Sequence, residues 1–403
     1  MDQLGIALVG AGFMGRRHLL GYAALRRAGA SNCNLVAVLD LDPAVARAAA
    51  DTAAELLGSR PRVYTSLAEL LDAPEVQAVD IATDPRTHHS IAVTAMTAGR
   101  HVLCEKPLAL TVTTARAMVD AAERTGTVLA TGENYRRGGA NRLARAVLEA
   151  GLLGRVHLMR EVRVGGDDLV IISPWRHRKA SGSIGLDMAI HYADIIEYLL
   201  GPVEKVWGRG FIAEPVRYPA AGGDPVVADG EDSIVASLRT DAGVDVQLSY
   251  LPAGPGRRYG ERTVHGSLGS MEIPPDRSDG EVVVHLAGGP VRGPELVALV
   301  DQAYLPRVTA AVLGPDGTGG PGAPWELVDA GYLAVEIEDF ADAALSGRAA
   351  EVDGMGGLRA LAVVHAILES GVADRAVSVA EVLDGSLHAY QDDIDAQFEP
   401  ASR

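Results

Sequence analysis

At 403 residues the chain exceeds what one hydrophobic core usually organises, so two domains are expected. Hydrophobic residues make up 48% and charged residues 22%, which excludes the low-hydrophobicity signature of disorder. Lys plus Arg total 36 against 53 for Asp plus Glu, and the net charge of -17 repels phosphate backbones and acidic lipid surfaces, arguing against nucleic acid and membrane as partners.

The N-terminal MDQLGIALVG enters an apolar strand at once, with no basic leader and no small-residue cleavage site. No apolar run approaches the roughly 20 residues that span a bilayer, so a soluble, cytoplasmic protein is expected. Residues 4–9 are apolar, GAGFMG follows, and RRHLLGYAALRRAG carries apolar residues at helical spacing, giving strand, glycine turn and helix. A second buried strand covers 34–40, and Asp42 with Pro43 supplies an N-cap and a first-turn proline for the helix running to Leu57. RVYTS, the helix SLAELLDAP, VQAVDIAT, a helix from His89 to Ala98, HVLCEKP, a helix from Val112 to Thr125 and TVLATGEN complete a series of six strands. Cys33 and Cys104 are the two cysteines; too few for a disulfide framework or a zinc cluster, they read as small hydrophobes in or near strands. The alternation predicts a doubly wound, mostly parallel sheet with helices on both faces over residues 1–135.

From Arg155 the strands lengthen and turn to period-two patterning: VHLMREVRV, EKVWGRGFIA, DSIVASLRT, VDVQLSYLPA, RTVHGSLGSMEI and EVVVHLA. One helix, LDMAIHYADIIEYLLG, interrupts them, and the pattern predicts an α+β domain over 136–353 built on an open, mostly antiparallel sheet. The stretch 314–324 is a loop by composition. The helix AGYLAVEIEDFADAALSG follows, and a last helix over 354–371 is expected to pack back on the first domain.

Gly10, Gly12 and Gly15 form G-x-G-x-x-G between strand and helix, where the spacing serves a tight turn, close backbone approach to a pyrophosphate and helix–strand packing. With Phe13 and Met14 they are the expected dinucleotide contacts. Asp40 ends the second strand, where an acid accepts from ribose hydroxyls and repels a 2'-phosphate; this favours NAD over NADP.

In such a sheet ligands gather at the carboxyl ends of the strands, where Asp40, Thr83, Glu105 with Lys106 and Asn134 all lie. A lysine at a buried edge is costly unless its charge is used; a solvated lysine at a loop start is the alternative. Asp187, His191 and Asp194, spaced four and three apart, share one helix face after the glycine- and serine-rich KASGSIG. A histidine between acids can be an acid/base, a plain surface residue, or half of a chelate; no third ligand cluster accompanies it, so no metal is assigned.

VGAGFMG, the EKP of HVLCEKPLA, ENYRR, WRH at 175–177 and the D-x-x-x-H of GLDMAIHYAD occur in order, and together they resemble the Gfo/Idh/MocA oxidoreductases, from Ile6 to the helix ending near Ser370. The resemblance implies an N-terminal Rossmann domain binding NAD(P) and a C-terminal sheet that forms a homodimer or homotetramer interface. It places Lys106 beside the nicotinamide and the reacting hydroxyl, makes His191 the acid/base, gives Asp187 to the substrate, and puts Thr83, His88, Glu105, Asn134, Trp175 and Arg176 along cofactor or substrate. Tyr135, Arg163 and Arg176 are further candidates for substrate hydroxyls. The cations Arg136, Arg137, Arg163, Arg176, His177, Arg178 and Lys179 meet either an acidic sugar, or the cofactor pyrophosphate and surface acids. The sequence departs from the family at Gly182, Ser183 and Ile184, where a three-glycine run is common, at Ala189, and at ATDPRTHH.

The implied reaction is NAD-dependent oxidation of a secondary hydroxyl on a sugar, glycoside or cyclitol. The same cofactor also permits glycoside hydrolysis by transient oxidation, elimination, water addition and re-reduction, and the same fold permits a non-catalytic NAD sensor.

Overall fold

The protein is described here by a computed structural model covering residues 3–398. Its first sheet has six strands, β1 (Leu4–Val9), β2 (Cys33–Leu39), β3 (Arg62–Tyr64), β4 (Ala78–Ile81), β5 (His101–Glu105) and β6 (Leu129–Gly132), in the order β3-β2-β1-β4-β5-β6. Every pairing in it is parallel. The order reverses between β1 and β4, opening a crevice at their carboxyl ends. Register keeps the neighbouring ends level: Ile81 pairs with Cys104 and Cys104 with Thr131, so Thr83, Lys106 and Glu133 emerge side by side.

Five helices join these strands: α1 (Phe13–Arg27), α2 (Pro43–Leu57), α3 (Leu67–Leu71), α4 (Pro85–Thr97) and α5 (Val112–Thr125). The side chain of Asp42 accepts from Ala44 at the start of α2, and Thr111 and Thr114 cap α5 reciprocally. α4 begins at Pro85, ahead of the expected His89, because Asp84 caps it and Pro85 fits the first turn. The three glycines divide their work. Gly10 has φ +93°, and a side chain on Gly15 would fall 2.1 Å from the Gly10 carbonyl oxygen. At Gly12 the space is open, so a ligand can reach the backbone there.

The second sheet has nine strands, running spatially from Gly289–Arg292 through Val283–Leu286, Gly269–Glu272, Tyr259–Gly266, Val156–Val164, Asp245–Leu251, Ser233–Thr240 and Val203–Phe211 to Val377–Ser378. It is antiparallel except where Asp245–Leu251 runs parallel to Val156–Val164. RTVHGSLGSMEI is two strands and not one: the chain reverses between Gly266 and Gly269 and pairs with itself. The helix Ile184–Leu200 packs on this sheet, and Trp325–Ser346 packs along α1.

The helix Gly354–Ala373 lies against α5, β6, Ile184–Leu200 and Val203–Phe211. Its 20 residues are long and apolar enough to cross a membrane by length and composition, so the expectation that no segment reaches that length is corrected. The apolar side chains Leu358, Leu361, Val364 and Ile367 are instead all fully buried in the protein core.

A side chain added at Gly357 would meet Thr131 of β6 at 2.2 Å, whereas one at Gly356 finds nothing closer than 3.5 Å. Gly357→Ala should therefore cost about 1–3 kcal/mol through overpacking, while Gly356→Ala on the same helix is neutral or stabilising. Urea denaturation of the two variants measures both.

Candidate active site

The adjacent acid and lysine at the end of β5 point in opposite directions. Glu105 turns inward: one carboxylate oxygen lies 3.0 Å from His18 Nε2, and the other accepts the Lys106 backbone N–H at 3.0 Å. His18, fully buried on α1, places Nδ1 2.9 Å from Asp80, which also accepts from Tyr22. Burial disfavours charge on His18, but Asp80 and Glu105 outweigh it and raise its pKa well above the ordinary value. Glu105 is held low: burial opposes ionisation and the His18 contact overcomes it. Glu336 comes within 4.8 Å of the same pair, and burial together with Glu105 pushes its pKa well up, toward a neutral acid. Both imidazole nitrogens of His18 are taken by carboxylates, so this cluster is an ion network behind the strand end.

Lys106 turns outward, where Nζ donates to the Asp187 carboxylate and to the Asp187 backbone carbonyl, each at 2.9 Å. Arg176 Nε donates to the second Asp187 oxygen at 3.1 Å, and its guanidinium lies over Trp175. Burial would raise the Asp187 pKa, but Lys106 and Arg176 bring it to about 2. Cations thus contact both Asp187 oxygens.

His191 follows Asp187 one turn later on the helix Ile184–Leu200. Its Nδ1 donates to Glu133, 2.7 Å and 2.8 Å from the two oxygens, and its ring stacks on Tyr135 with centroids 3.9 Å apart and planes 4° from parallel. The carboxylate fixes the tautomer, leaving Nε2 without a hydrogen-bond partner among the described residues. Burial lowers the His191 pKa, Glu133 raises it, and Lys106 and Arg277 lower it again; the net shift is downward. The imidazole is neutral at pH 7 and able to accept a proton. Asp194, the next acid on that face, pairs with Arg136 instead.

Lys106, Asp187 and His191 line one cavity of about 290 Å³ with Asn134 and Tyr135. A groove of about 860 Å³ adjoins it, bounded by Gly10, Gly12, Asp40, Leu67 and Ile91. Phe13, Met14, Thr83, Ile172, Trp175 and Arg176 line both, so groove and cavity are continuous. Asp40 stands at the groove edge and accepts from Ala11 N–H at 2.9 Å, bracing the glycine turn. At the junction Ile172 has φ +61°, costly for a β-branched residue and found where a ligand site holds the chain.

Several expected residues fall elsewhere. Gly15 packs α1 on its strand and is outside the groove lining. His88 is fully buried behind the wall, its nitrogens facing the Pro107 and Thr83 carbonyl oxygens at 2.9 Å and 3.3 Å, so it ties two strand ends together. Arg163 does not reach the cavity: it donates to the Val162 carbonyl and lies 3.5 Å from Glu161, in space left by Gly260 opposite. The basic cluster disperses likewise, with Arg137 on Asp339 and Glu351, Arg178 on Asp229 and Lys179 on Asp393. Arg176 alone of that group lines the cavity.

Other residues enter the site unannounced. Glu133 lies within ENYRR, where its neighbour Asn134 drew attention. Arg277 arrives from a distant loop with φ +57°; its Nη2 donates to Asn134 at 2.9 Å and its guanidinium lies 4.9 Å from the Tyr135 ring centroid. Buried Asp329 contacts Arg277 at 2.7 Å and also takes Arg17 of α1, while Trp325 sits beside both guanidinium groups. No local pattern links such positions; only the tertiary fold does.

Replacing His18 would leave Asp80 and Glu105 buried without their cation. His18→Gln should cost about 3–5 kcal/mol of stability at pH 7 by chemical denaturation. Because the folded His18 pKa is raised, its contribution is full below about pH 6.5 and declines as pH rises through the folded value; a loss independent of pH would contradict the charged state.

Residues 4–133 match the Gfo/Idh/MocA model of the oxidoreductase family with NAD-binding Rossmann fold, and residues 141–272 match the Gfo/Idh/MocA C-terminal domain. A levoglucosan dehydrogenase of Pseudarthrobacter phenanthrenivorans is 29% identical over 95% of this chain and 100% of its own length. A 1,5-anhydro-D-fructose reductase of Ensifer adhaerens is 31% identical over 72% of this chain and 84% of its own. The solved structure of a levoglucosan dehydrogenase in complex with NADH and levoglucosan is 26% identical, covers 94% of this chain and 100% of its own, and has a TM-score of 0.77.

Proposed function

Given that this chain belongs to the Gfo/Idh/MocA oxidoreductases, we propose that it is an NAD-dependent dehydrogenase of a secondary hydroxyl on a sugar or cyclitol, with Lys106 and His191 acting on the reacting oxygen. One observation carries the residue assignment. A strand end and a helix distant in sequence bring these two side chains to one cavity, and that cavity opens into the groove at the glycine turn.

The groove suits the dinucleotide: Gly12 leaves its backbone open, α1 points its N-terminus there, and Asp40 offers a carboxylate at the edge. When bound, NAD supplies the hydride acceptor. In the cavity, His191 Nε2 takes the hydroxyl proton while Glu133, held at Nδ1, stabilises the imidazolium that forms. Lys106 offers its ammonium to the same oxygen as negative charge develops. Asp187 positions that ammonium and offers its carboxylate to a neighbouring hydroxyl. The named relatives support the substrate class, since their names give levoglucosan and 1,5-anhydro-D-fructose as what they act on.

The outer face of the second sheet supports a homodimer or homotetramer. Trp207, 62% exposed, lies in a cross-strand row with Ser237, Gln247 and Arg160.

The reading is tested by a panel of sugars, glycosides and inositols with NAD and NADP, following the absorbance of the reduced nicotinamide. His191→Ala should lower kcat on the order of 10² to 10⁴ with NAD binding unchanged; an unimpaired variant would remove His191 from the reaction. The depressed His191 pKa places the acid limb of kcat/KM for oxidation below pH 6.5. Lys106→Met removes a cation that lowers it, so the limb should move to higher pH while the rate falls. Asp40→Ala should weaken NAD by about tenfold or more and narrow the preference over NADP, as expected for losing charged hydrogen bonds.

A further inference from the structure

Three guanidinium groups, those of Arg17, Arg176 and Arg277, line the cavity. Arg176 spends Nε on Asp187 and Nη1 on Ser173, at 3.1 Å and 2.7 Å, and its Nη2 has no hydrogen-bond partner among the described residues. Arg277 spends Nη2 on the neutral Asn134. The carboxylates that face these groups are shared: Asp187 serves Lys106 as well as Arg176, and Asp329 serves Arg17 as well as Arg277. The other acids at hand are turned elsewhere, Glu133 to His191 and Glu105 to His18.

Arg277 is also held in place at some expense. Its left-handed backbone, φ +57°, is fixed by its neighbour Asp276, which takes the buried Arg262 through both oxygens at 2.9 Å and Asn141 at 2.7 Å. Arg262 in turn pairs with buried Glu161. Such a buried network over-determines a strained residue, and strain of this kind collects at ligand clamps. The planar edges of two guanidinium groups match the geometry of a carboxylate.

We infer that Arg277 and Arg176 form a carboxylate subsite, and that the substrate is a monosaccharide acid whose carboxylate binds there while a ring hydroxyl faces Lys106 and His191. The cavity, about 290 Å³, lies at the low end for ligand sites and favours one sugar ring over a chain of them. The inference rests on the dehydrogenase reading above and adds a substrate class to it.

The test measures kcat/KM with saturating NAD for matched pairs, D-glucose with D-glucuronate and D-galactose with D-galacturonate, and for D-glucose 6-phosphate. At least one hexuronate should exceed its neutral parent by about tenfold or more. Arg277→Met should collapse that ratio through KM, and Arg277→Lys should restore part of it, with the KM for NAD unchanged in both. Neutral sugars turned over as well as or better than their acids would overturn the carboxylate subsite while leaving the dehydrogenase intact. A preference for the phosphate would also overturn it, since the anion would be of another kind. Absence of NAD reduction with every sugar, acid and cyclitol would sink the dehydrogenase reading and this inference with it.

Discussion

Everything at the site depends on how the end of β5 divides its two charges. Glu105 is drawn inward to a buried imidazolium, and because its second oxygen also holds the Lys106 amide, the backbone at the strand end is pinned from within. Lys106 can then project outward without searching for a partner, and Asp187 receives it from the helix on the other side of the cavity. A buried charge is tolerable only when paired, and here each one is: His18 between Asp80 and Glu105, Lys106 and Arg176 on Asp187. The Lys106–Asp187 pair is therefore also a bolt between the parallel sheet and the helix Ile184–Leu200.

That bolt also contributes to the electrostatics of His191, after burial and Glu133. Burial and two nearby cations favour the neutral ring, and Glu133 pulls the other way while fixing the tautomer. Tyr135 stacks flat on the imidazole, so the ring cannot rotate without breaking both the stack and the Glu133 contact. The ring is thereby held in one orientation with Nε2 free of protein partners among the described residues, the preorganisation that the proposed proton transfer requires.

Much of the fold was legible because its rules are local. The alternation of strand and helix, the glycine spacing, and the capping pairs Asp42–Pro43 and Thr111–Thr114 act within a few residues. The same reading merged the hairpin of Tyr259–Gly266 and Gly269–Glu272 into one strand, since its turn at Ser267 and Leu268 lacks a strong turn signal. It also underrated Gly354–Ala373, where glycines, Arg359 and Glu369 interrupt an apolar run that the protein core covers. At the site, residues borne on strand ends and one helix face were visible, because sheet topology sends them to one crevice. Arg277, Asp329 and Trp325 were not, because they come from loops and helices far along the chain and meet only through packing. Arg163 fails for the converse reason: on its strand it lies 3.5 Å from buried Glu161 and donates to the Val162 carbonyl, so it stays within the sheet and does not reach the cavity.

The central claim is convergence, that the Lys106 ammonium and the His191 imidazole serve one substrate oxygen. A crystal structure with NADH and an oxidisable sugar decides it. The account predicts a single hydroxyl oxygen within about 2.6–3.2 Å of both Nζ and Nε2; a sugar bound with those two atoms on different oxygens, or with one of them still turned to the protein, would contradict it.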